Sequence, residues 1–124
     1  MQILLVEDDA AIAEMYRTQL AADGFDVSVA PDGKQALELI RESPPELVLL
    51  DMELPHLDGI GVLHHLRGDP MSKDVPVVVV SNTPGSTRME EAYTLGIRAW
   101  LVKSATTPSQ LSGIVEVMLR KSDN

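Results

Sequence analysis

The stretch ELVLLDMELPHLDG, residues 46–59, contains an apolar run that ends at a carboxylate. Four of the residues in 46–50 are apolar, which predicts a short strand, and Asp51 follows directly. Glu53 comes two residues later, and a proline and a glycine then indicate a loop. A continuously apolar strand belongs in the middle of a sheet that is covered on both faces. The stretch therefore puts an acidic side chain at the end of a buried strand.

Five such runs alternate with helix-like segments. The strand-like runs are 2–6, 25–30, 46–50, 75–80 and 97–102, and the helix-like ones are 10–22, 33–42, 58–67, 86–95 and 108–121. This alternation predicts an α/β fold with a parallel sheet between two layers of helices. The first, third and fourth runs are uniformly apolar, whereas the second alternates and the fifth contains an arginine, as edge strands do. These patterns match the flavodoxin-like doubly wound (βα)5 fold, whose five parallel strands lie in the order 2-1-3-4-5.

Length and charge restrict the possible functions. The 124 residues are predicted to form one domain, residues 1–124. A formal charge of −9 argues against binding to nucleic acid or to an anionic membrane surface. The absence of cysteine excludes disulfides and thiolate metal sites and fits a reducing compartment. The sequence shows no signal peptide and no apolar stretch long enough to cross a bilayer, so we expect a cytoplasmic protein.

Local signals agree with the predicted boundaries. Gly24 and Gly96 stand where the first and fourth helices should end. The segment 107–110, TPSQ, is a capping box that should begin the fifth helix. Met15 and Met118 are expected to face the core from their helices.

The acidic residues that follow strands fall at one place in this topology. Glu7, Asp8 and Asp9 follow the first strand and Asp51 ends the third, on either side of the point where strand order reverses. Ligands of open α/β sheets bind there. Converging carboxylates require a proton or a cation among them, and oxygen ligands suit a hard cation such as Mg²⁺. Asp9 is the expected N-cap of the first helix; Asp8 fits a helix-dipole role or a metal role about equally well.

Two further strand ends carry complementary groups. Ser81 follows the fourth strand and Lys103 follows the fifth. Each alone is more often a turn or surface residue, but a carboxylate, a hydroxyl and an ammonium on successive strand ends suggest a common site. Such a site suits a dianionic group on or near Asp51.

The sequence resembles the receiver domain of two-component response regulators over essentially its whole length. The resemblance rests on the order and spacing of four segments, which are LLVEDD (4–9), LVLLDMELPHLDG (47–59), VVVVSNT (77–83) and AWLVKS (99–104).

The resemblance implies a phospho-accepting switch. Asp51 would take a phosphoryl group from a histidine kinase or a phosphotransfer protein, with Mg²⁺ as cofactor. Asp8 would bind the ion directly, Glu7 largely through water, and Glu53 through its backbone carbonyl. The chain would not be an enzyme beyond its self-catalysed phosphoryl acceptance and autodephosphorylation. Glu53 and Thr83 stand where the family varies the lifetime of the phosphoryl group.

The resemblance also implies a route for the signal. Ser81 would contact the phosphoryl group and Lys103 would pair with it, and movement of Ser81 would let Trp100 turn inward. That turn would reshape the face of helix 4, strand 5 and helix 5 for an output protein or for a fused output domain absent here. Neither direct nucleic-acid binding nor membrane binding is expected.

Three departures from the family pattern stand out. Ser104 replaces the usual proline after Lys103, so we expect a trans bond and a different loop, the alternative being a strained cis bond. Trp100 is bulkier than the usual tyrosine or phenylalanine. The alternative to a switch role is a structural one, as an edge-strand aromatic packed on helix 4. Ala99 stands where many transcription-factor receivers have an acidic residue, which weakens the case for their mode of dimerisation.

Three rival functions remain open. A flavodoxin-like carrier of FMN would need a hydroxyl- and glycine-rich loop where this chain has EDDAA, residues 7–11. An aspartyl-phosphate phosphatase usually has a second aspartate at the position of Glu53 and a cap domain. A receiver-like binding module that works without phosphorylation is the third, and the complete set of strand-end residues argues against it.

Overall fold

The computed structural model describes residues 1–82 and 87–122, with side chains described as far as Arg120. Its strands are β1 (Gln2–Val6), β2 (Asp26–Ala30), β3 (Leu47–Asp51), β4 (Val77–Ser81) and β5 (Ala99–Val102). Its helices are α1 (Ala10–Ala22), α2 (Gly33–Glu42), α3 (Gly59–Gly68), α4 (Thr87–Thr94) and α5 (Pro108–Ser122). The predicted elements are all present with shifts of one or two residues; the predicted start of helix 4, residue 86, lies outside the described residues.

The strands form one parallel sheet in the order β2-β1-β3-β4-β5, which confirms the prediction. β3 is longer by one residue than its apolar run, because Asp51 continues the ladder opposite Val80. Ser81 is likewise the last residue of β4 and pairs with Val102. The sheet itself thus holds the backbone of two predicted site residues.

The sheet is buried by helices on both faces. One face packs against α1 and α5 through residues that include Leu49, Val78 and Leu111. The opposite face packs against α2, α3 and α4 and includes Leu50 and Val79. Every residue of β3 and β4 is buried, whereas β2 alternates and β5 is only partly buried, as the sequence patterns predicted.

The predicted caps are present. The Asp9 side chain accepts hydrogen bonds from two backbone N–H groups at the start of α1. The Thr107 hydroxyl accepts from the Gln110 N–H, and the Gln110 side chain accepts from the Thr107 N–H, completing the capping box. Gly24 (φ +96°) and Gly96 (φ +81°) adopt the left-handed conformation that ends a helix at low steric cost.

Two smaller expectations were tested by the structure. Met15 is 47% exposed, so its predicted place in the core was wrong: α1 turns its neighbour Tyr16 to the sheet instead. The Lys103–Ser104 bond is trans, as expected, since no described peptide bond is cis, and Lys103–Ala105 form a short 3-10 helix. In the part of the chain that the structure describes, no helix has the length and hydropathy needed to cross a bilayer.

Candidate functional site

Asp51 lies at the centre of the polar cluster at the carboxyl ends of the strands. Its side chain is buried, with 3% of the residue exposed, although most of its neighbours along β3 are apolar. One carboxylate oxygen, Oδ1, accepts a hydrogen bond of 3.0 Å from the Glu53 N–H. The other, Oδ2, accepts one of 3.1 Å from Lys103 Nζ. Sheet pairing and two hydrogen bonds therefore hold the carboxylate in a defined position.

Three carboxylates converge at this point. Glu7, Asp8 and Asp51 each offer one oxygen, and these oxygens lie within 4.8 Å of one another. Glu7 is as buried as Asp51, whereas Asp8 is exposed at the rim. The capping of α1 is carried out by Asp9, whose own N–H donates to Glu7 Oε2 at 3.2 Å. Asp8 thus faces the cluster without the N-cap role that accounts for Asp9.

Lys103 is the cation of the cluster. Its Nζ lies 2.6 Å from Glu7 Oε1 and 3.1 Å from Asp51 Oδ2, and its side chain is 8% exposed. Burial acts to lower the pKa of Lys103, but hydrogen bonds to the two carboxylates outweigh it, so that the pKa is raised. The lysine therefore stays charged in a place that little water reaches.

One ammonium does not balance three carboxylates. Burial, and next to it the charge of Glu7, raise the pKa of Asp51 from 3.8 to about 8. In the metal-free cluster Asp51 thus holds a proton near neutral pH. The raised pKa follows from burial and from neighbouring negative charge, which disfavour a further negative charge when no added cation is present.

The cluster fits a hard divalent cation. All three convergent groups are carboxylates, the ligands that Mg²⁺ and Mn²⁺ prefer. The exposed Asp8 gives access from solvent, and the excess negative charge would be offset by the ion. Glu53 does not belong to this group of three, although its side chain interacts with that of Asp51. The predicted use of its backbone carbonyl as a ligand stays a prediction.

Ser81 is fully buried at the end of β4, next to β3. Its hydroxyl donates a hydrogen bond of 2.7 Å to Glu53 Oε1. Burial acts to raise the pKa of Glu53, but the hydrogen bond from Ser81 and further polar contacts outweigh it and lower the pKa. Glu53 is therefore a charged acceptor for the Ser81 hydroxyl.

Three contacts around the site were not predicted from the sequence. The direct Glu7–Lys103 pair is one, and the Ser81–Glu53 bond is another. The third involves Arg88 of α4, which donates to the Met52 carbonyl at 3.3 Å and to the Asp58 carboxylate at 3.0 Å. None of these three carries a local sequence signal, because each joins residues at least 28 positions apart.

Trp100, the predicted switch aromatic, lies on β5 and is partly buried against the core on the α2–α4 side of the sheet. That position agrees with the structural role, in which the aromatic packs on the α4 side. Its role as a switch stays a prediction. Thr83, the other residue predicted to affect phosphoryl lifetime, lies outside the described residues.

The chain matches a known protein family over most of its length. The family model of the response regulator receiver domain matches residues 3–116. The DNA-binding response regulator MtrA of Mycolicibacterium paratuberculosis is 37% identical over 123 residues, which cover 99% of this chain and 53% of that protein. This chain thus spans about half the length of the curated relative that it matches.

Two solved structures agree with this match. The phosphorylated cyanobacterial phytochrome response regulator RcpA is 34% identical, with a TM-score of 0.81 over 94% of this chain and 89% of that one. The Mn²⁺-bound form of the response regulator Rcp1 is 28% identical, with a TM-score of 0.84 over 95% of this chain and 94% of that one. Fold, strand order and sequence agree, and the chain belongs to the response regulator receiver domain family.

Proposed function

We propose that this receiver domain, residues 1–124, is a phosphorylation-controlled switch in which Asp51 accepts a phosphoryl group. One observation carries the proposal. The Asp51 carboxylate ends a buried strand, lies 3.1 Å from Lys103 Nζ, and converges with Glu7 and Asp8. A nucleophile placed in this way is fixed in position and accompanied by groups that offset the charge of a phosphoryl group.

The proposed step is transfer from a phosphohistidine on a histidine kinase or a phosphotransfer protein. An oxygen of ionised Asp51 forms a bond to phosphorus as the phosphorus–nitrogen bond breaks. The departing imidazole keeps the electron pair and takes up a proton. Lys103 stabilises the negative charge that collects on the phosphoryl oxygens, and the Ser81 hydroxyl donates to one of them. The chain is thus a substrate that catalyses its own modification and its own dephosphorylation rather than an enzyme with turnover.

A divalent ion fits the acidic cluster. Asp8 would bind it directly, with Asp51 and the Glu53 carbonyl, while Glu7 would act through water. The indirect role of Glu7 is supported by its 2.6 Å contact with Lys103, which already occupies one of its oxygens. When bound, the ion would keep Asp51 ionised near neutral pH and neutralise charge on the phosphoryl group. Rcp1, a similar receiver, has been solved in a Mn²⁺-bound form, and RcpA in a phosphorylated one.

The proposed output is a change in the surface of α4, β5 and α5. Phosphorylation would draw Ser81 toward the phosphoryl group, and Trp100 on β5 would respond, which would alter binding of an output protein or a fused output domain. The relative MtrA is named a DNA-binding regulator. Direct contact of this domain with nucleic acid is not proposed, because its net charge of −9 would repel a phosphate backbone. A cytoplasmic location is proposed together with the kinase partnership.

Intact-mass spectrometry tests the proposal. The protein is incubated with Mg²⁺ and a small phosphodonor such as phosphoramidate, and in parallel with a phosphohistidine protein. One phosphoryl group should add to the wild type and none to Asp51→Asn or to samples with a chelator. Asp58→Asn is the matched control: it changes an exposed acid of the same loop to a residue that caps a helix equally well, and it should still be modified. No addition from either donor would overturn the proposal in favour of a receiver that works only by binding.

A further inference from the structure

The Ser81 hydroxyl already has a charged acceptor in the structure. It donates to Glu53 Oε1 at 2.7 Å, across 28 positions of sequence and between the ends of β3 and β4. Ser81 is fully buried, and Glu53 is partly buried. The bond is short and lies in a place where few water molecules could replace it.

This contact excludes the one that phosphorylation requires. A serine hydroxyl has a single proton and can donate fully to one acceptor at a time. A phosphoryl group on Asp51 would need that proton, which in the structure is given to the Glu53 carboxylate. Resting on the proposed function, we infer that Glu53 is a positioning residue that holds Ser81 in the unphosphorylated arrangement and competes with the phosphoryl group for its hydroxyl.

The position of Glu53 suits this competition. Its backbone N–H donates to Asp51 Oδ1 at 3.0 Å, while its side chain receives the Ser81 proton. One residue therefore contacts both the phosphoryl acceptor and the hydroxyl that senses the modification. Because β3 and β4 are neighbouring strands, the contact also fixes the end of one strand against the other.

The competition sets the expected size of the effect. A hydrogen bond to a charged acceptor contributes enough to change an equilibrium constant about tenfold. A ligand that needs the Ser81 hydroxyl must first break the bond to Glu53, so its apparent affinity is reduced by about that factor. Removing the acceptor should therefore favour the phosphorylated arrangement without adding any new contact.

Binding of beryllofluoride with Mg²⁺ tests the inference, because beryllofluoride joins a carboxylate as a phosphoryl mimic without transfer chemistry. Affinity is measured by calorimetry for the wild type, Glu53→Ala, Glu53→Gln and Ser81→Ala, and for each Glu53 variant combined with Ser81→Ala. Trp100, the single tryptophan of the chain, gives a second readout through its emission. Glu38→Ala, which removes an exposed acid from α2, is the control for loss of one negative charge.

We expect Glu53→Ala to bind the mimic about tenfold more tightly than the wild type. Glu53→Gln, which keeps an acceptor oxygen of similar reach, should fall between the two, and Glu38→Ala should match the wild type. In the Ser81→Ala background, the Glu53 substitutions should change the affinity less than about twofold, because the hydroxyl that they release is gone.

A gain that is equal for alanine and glutamine at position 53, and that persists in the Ser81→Ala background, would overturn the inference in favour of charge repulsion. A Glu53→Ala affinity equal to that of the wild type would also overturn it. Absence of binding in every variant, wild type included, together with absence of phosphoryl acceptance, would overturn the proposed function itself. The two failures are therefore distinguishable.

Discussion

Two shielded cations lie at opposite ends of the sheet, and their partners differ in kind. At the carboxyl end, Lys103 contacts two carboxylates, those of Glu7 and Asp51. At the amino end of β4, every hydrogen bond that the guanidinium of Arg67 on α3 makes within the described part of the chain goes to a backbone carbonyl. The acceptors are the oxygens of Leu95 (2.7 Å), Val75 (2.8 Å), Lys73 (3.0 Å) and Gly96 (3.4 Å).

Burial acts in the same direction on the pKa values of both cations, but the net shifts are opposite. Burial lowers the pKa of Arg67, whose carbonyl partners carry no net charge. Burial acts on Lys103 in the same direction, but the two carboxylates outweigh it and raise the pKa. The arginine thus joins α3 to the loops before β4 and after α4 through hydrogen bonds to uncharged backbone groups. The lysine lies in a cluster with excess negative charge, and an added cation or a phosphoryl group changes the net charge of that cluster.

The largest effect is expected from substitution of Lys103, at the carboxyl end of the sheet. Lys103→Met should slow phosphoryl acceptance by about 100-fold or more, because a preorganised donor to the developing charge is lost. The rate is measured by intact mass against time with a small phosphodonor and Mg²⁺. Lys34→Met, an exposed lysine of α2, should leave the rate unchanged. A Lys103→Met variant that keeps a folded circular dichroism spectrum and the wild-type rate would contradict a chemical role for the lysine.

Substitution of Arg67, at the amino end of β4, should instead lower stability and leave phosphoryl acceptance unchanged. Arg67→Leu should lower the free energy of unfolding by about 2–4 kcal/mol, since four carbonyls, two of them part-buried, lose a charged donor. Its rate of phosphoryl acceptance should match that of the wild type under conditions where both are folded. Urea unfolding measures the first quantity and intact mass the second.

Arg98→Leu is the matched control for this pair, since Arg98 lines the same cleft as Arg67 but is exposed. Its effect on stability should stay within about 0.5 kcal/mol. If Arg98→Leu cost as much as Arg67→Leu, the carbonyl contacts would not be the source of the stability.

The stability of the metal-free protein should depend on pH through Asp51. The pKa of Asp51 is about 8 in the folded state against a usual 3.8, so ionisation favours the unfolded chain. The stability that protonated Asp51 contributes is complete below about pH 4 and is lost as the pH rises toward 8. Asp51→Asn cannot ionise and should escape this loss. At pH 8 with a chelator we expect the variant to be more stable than the wild type by about 2 kcal/mol, with a small difference at pH 4.5.

Urea unfolding at the two pH values checks this prediction, with the exposed Asp74→Asn as control. The control should follow the wild type at both. If the difference in free energy of unfolding between Asp51→Asn and the wild type were the same at both pH values, the pKa of Asp51 would not be raised by its surroundings.

Much of the fold could be predicted from the sequence because a strand that is buried on both faces has a continuously apolar sequence. β3 and β4 are apolar up to their last residues and fully buried, while β2 alternates; that contrast separated inner from outer strands, and matching it to a known doubly wound fold gave the strand order. Asp51 and Ser81 were located correctly because parallel strands end at one edge. Met15 was misplaced since an apolar residue next to the buried stripe of a helix is indistinguishable from a member of it.

The partners of the site residues were less predictable. The sequence placed Glu7, Asp51 and Lys103 at one edge, but it did not show that Lys103 would bind Glu7 directly. Glu53 was predicted to offer its backbone carbonyl and to stand where the family varies phosphoryl lifetime, but its side-chain bond to Ser81 was missed. Such contacts depend on side-chain rotamers and on the exact register of neighbouring strands, which residue patterns do not specify.

The central claim is that the buried Asp51, and no other acid of the cluster, accepts the phosphoryl group. Its most direct test is borohydride reduction of the protein after phosphorylation, because an aspartyl phosphate is reduced to homoserine at the modified position. Peptide mass spectrometry should find homoserine at position 51 only, and none when the donor or Mg²⁺ is omitted. Homoserine at Asp8, or a reduced glutamyl phosphate at Glu7 or Glu53, would contradict the account.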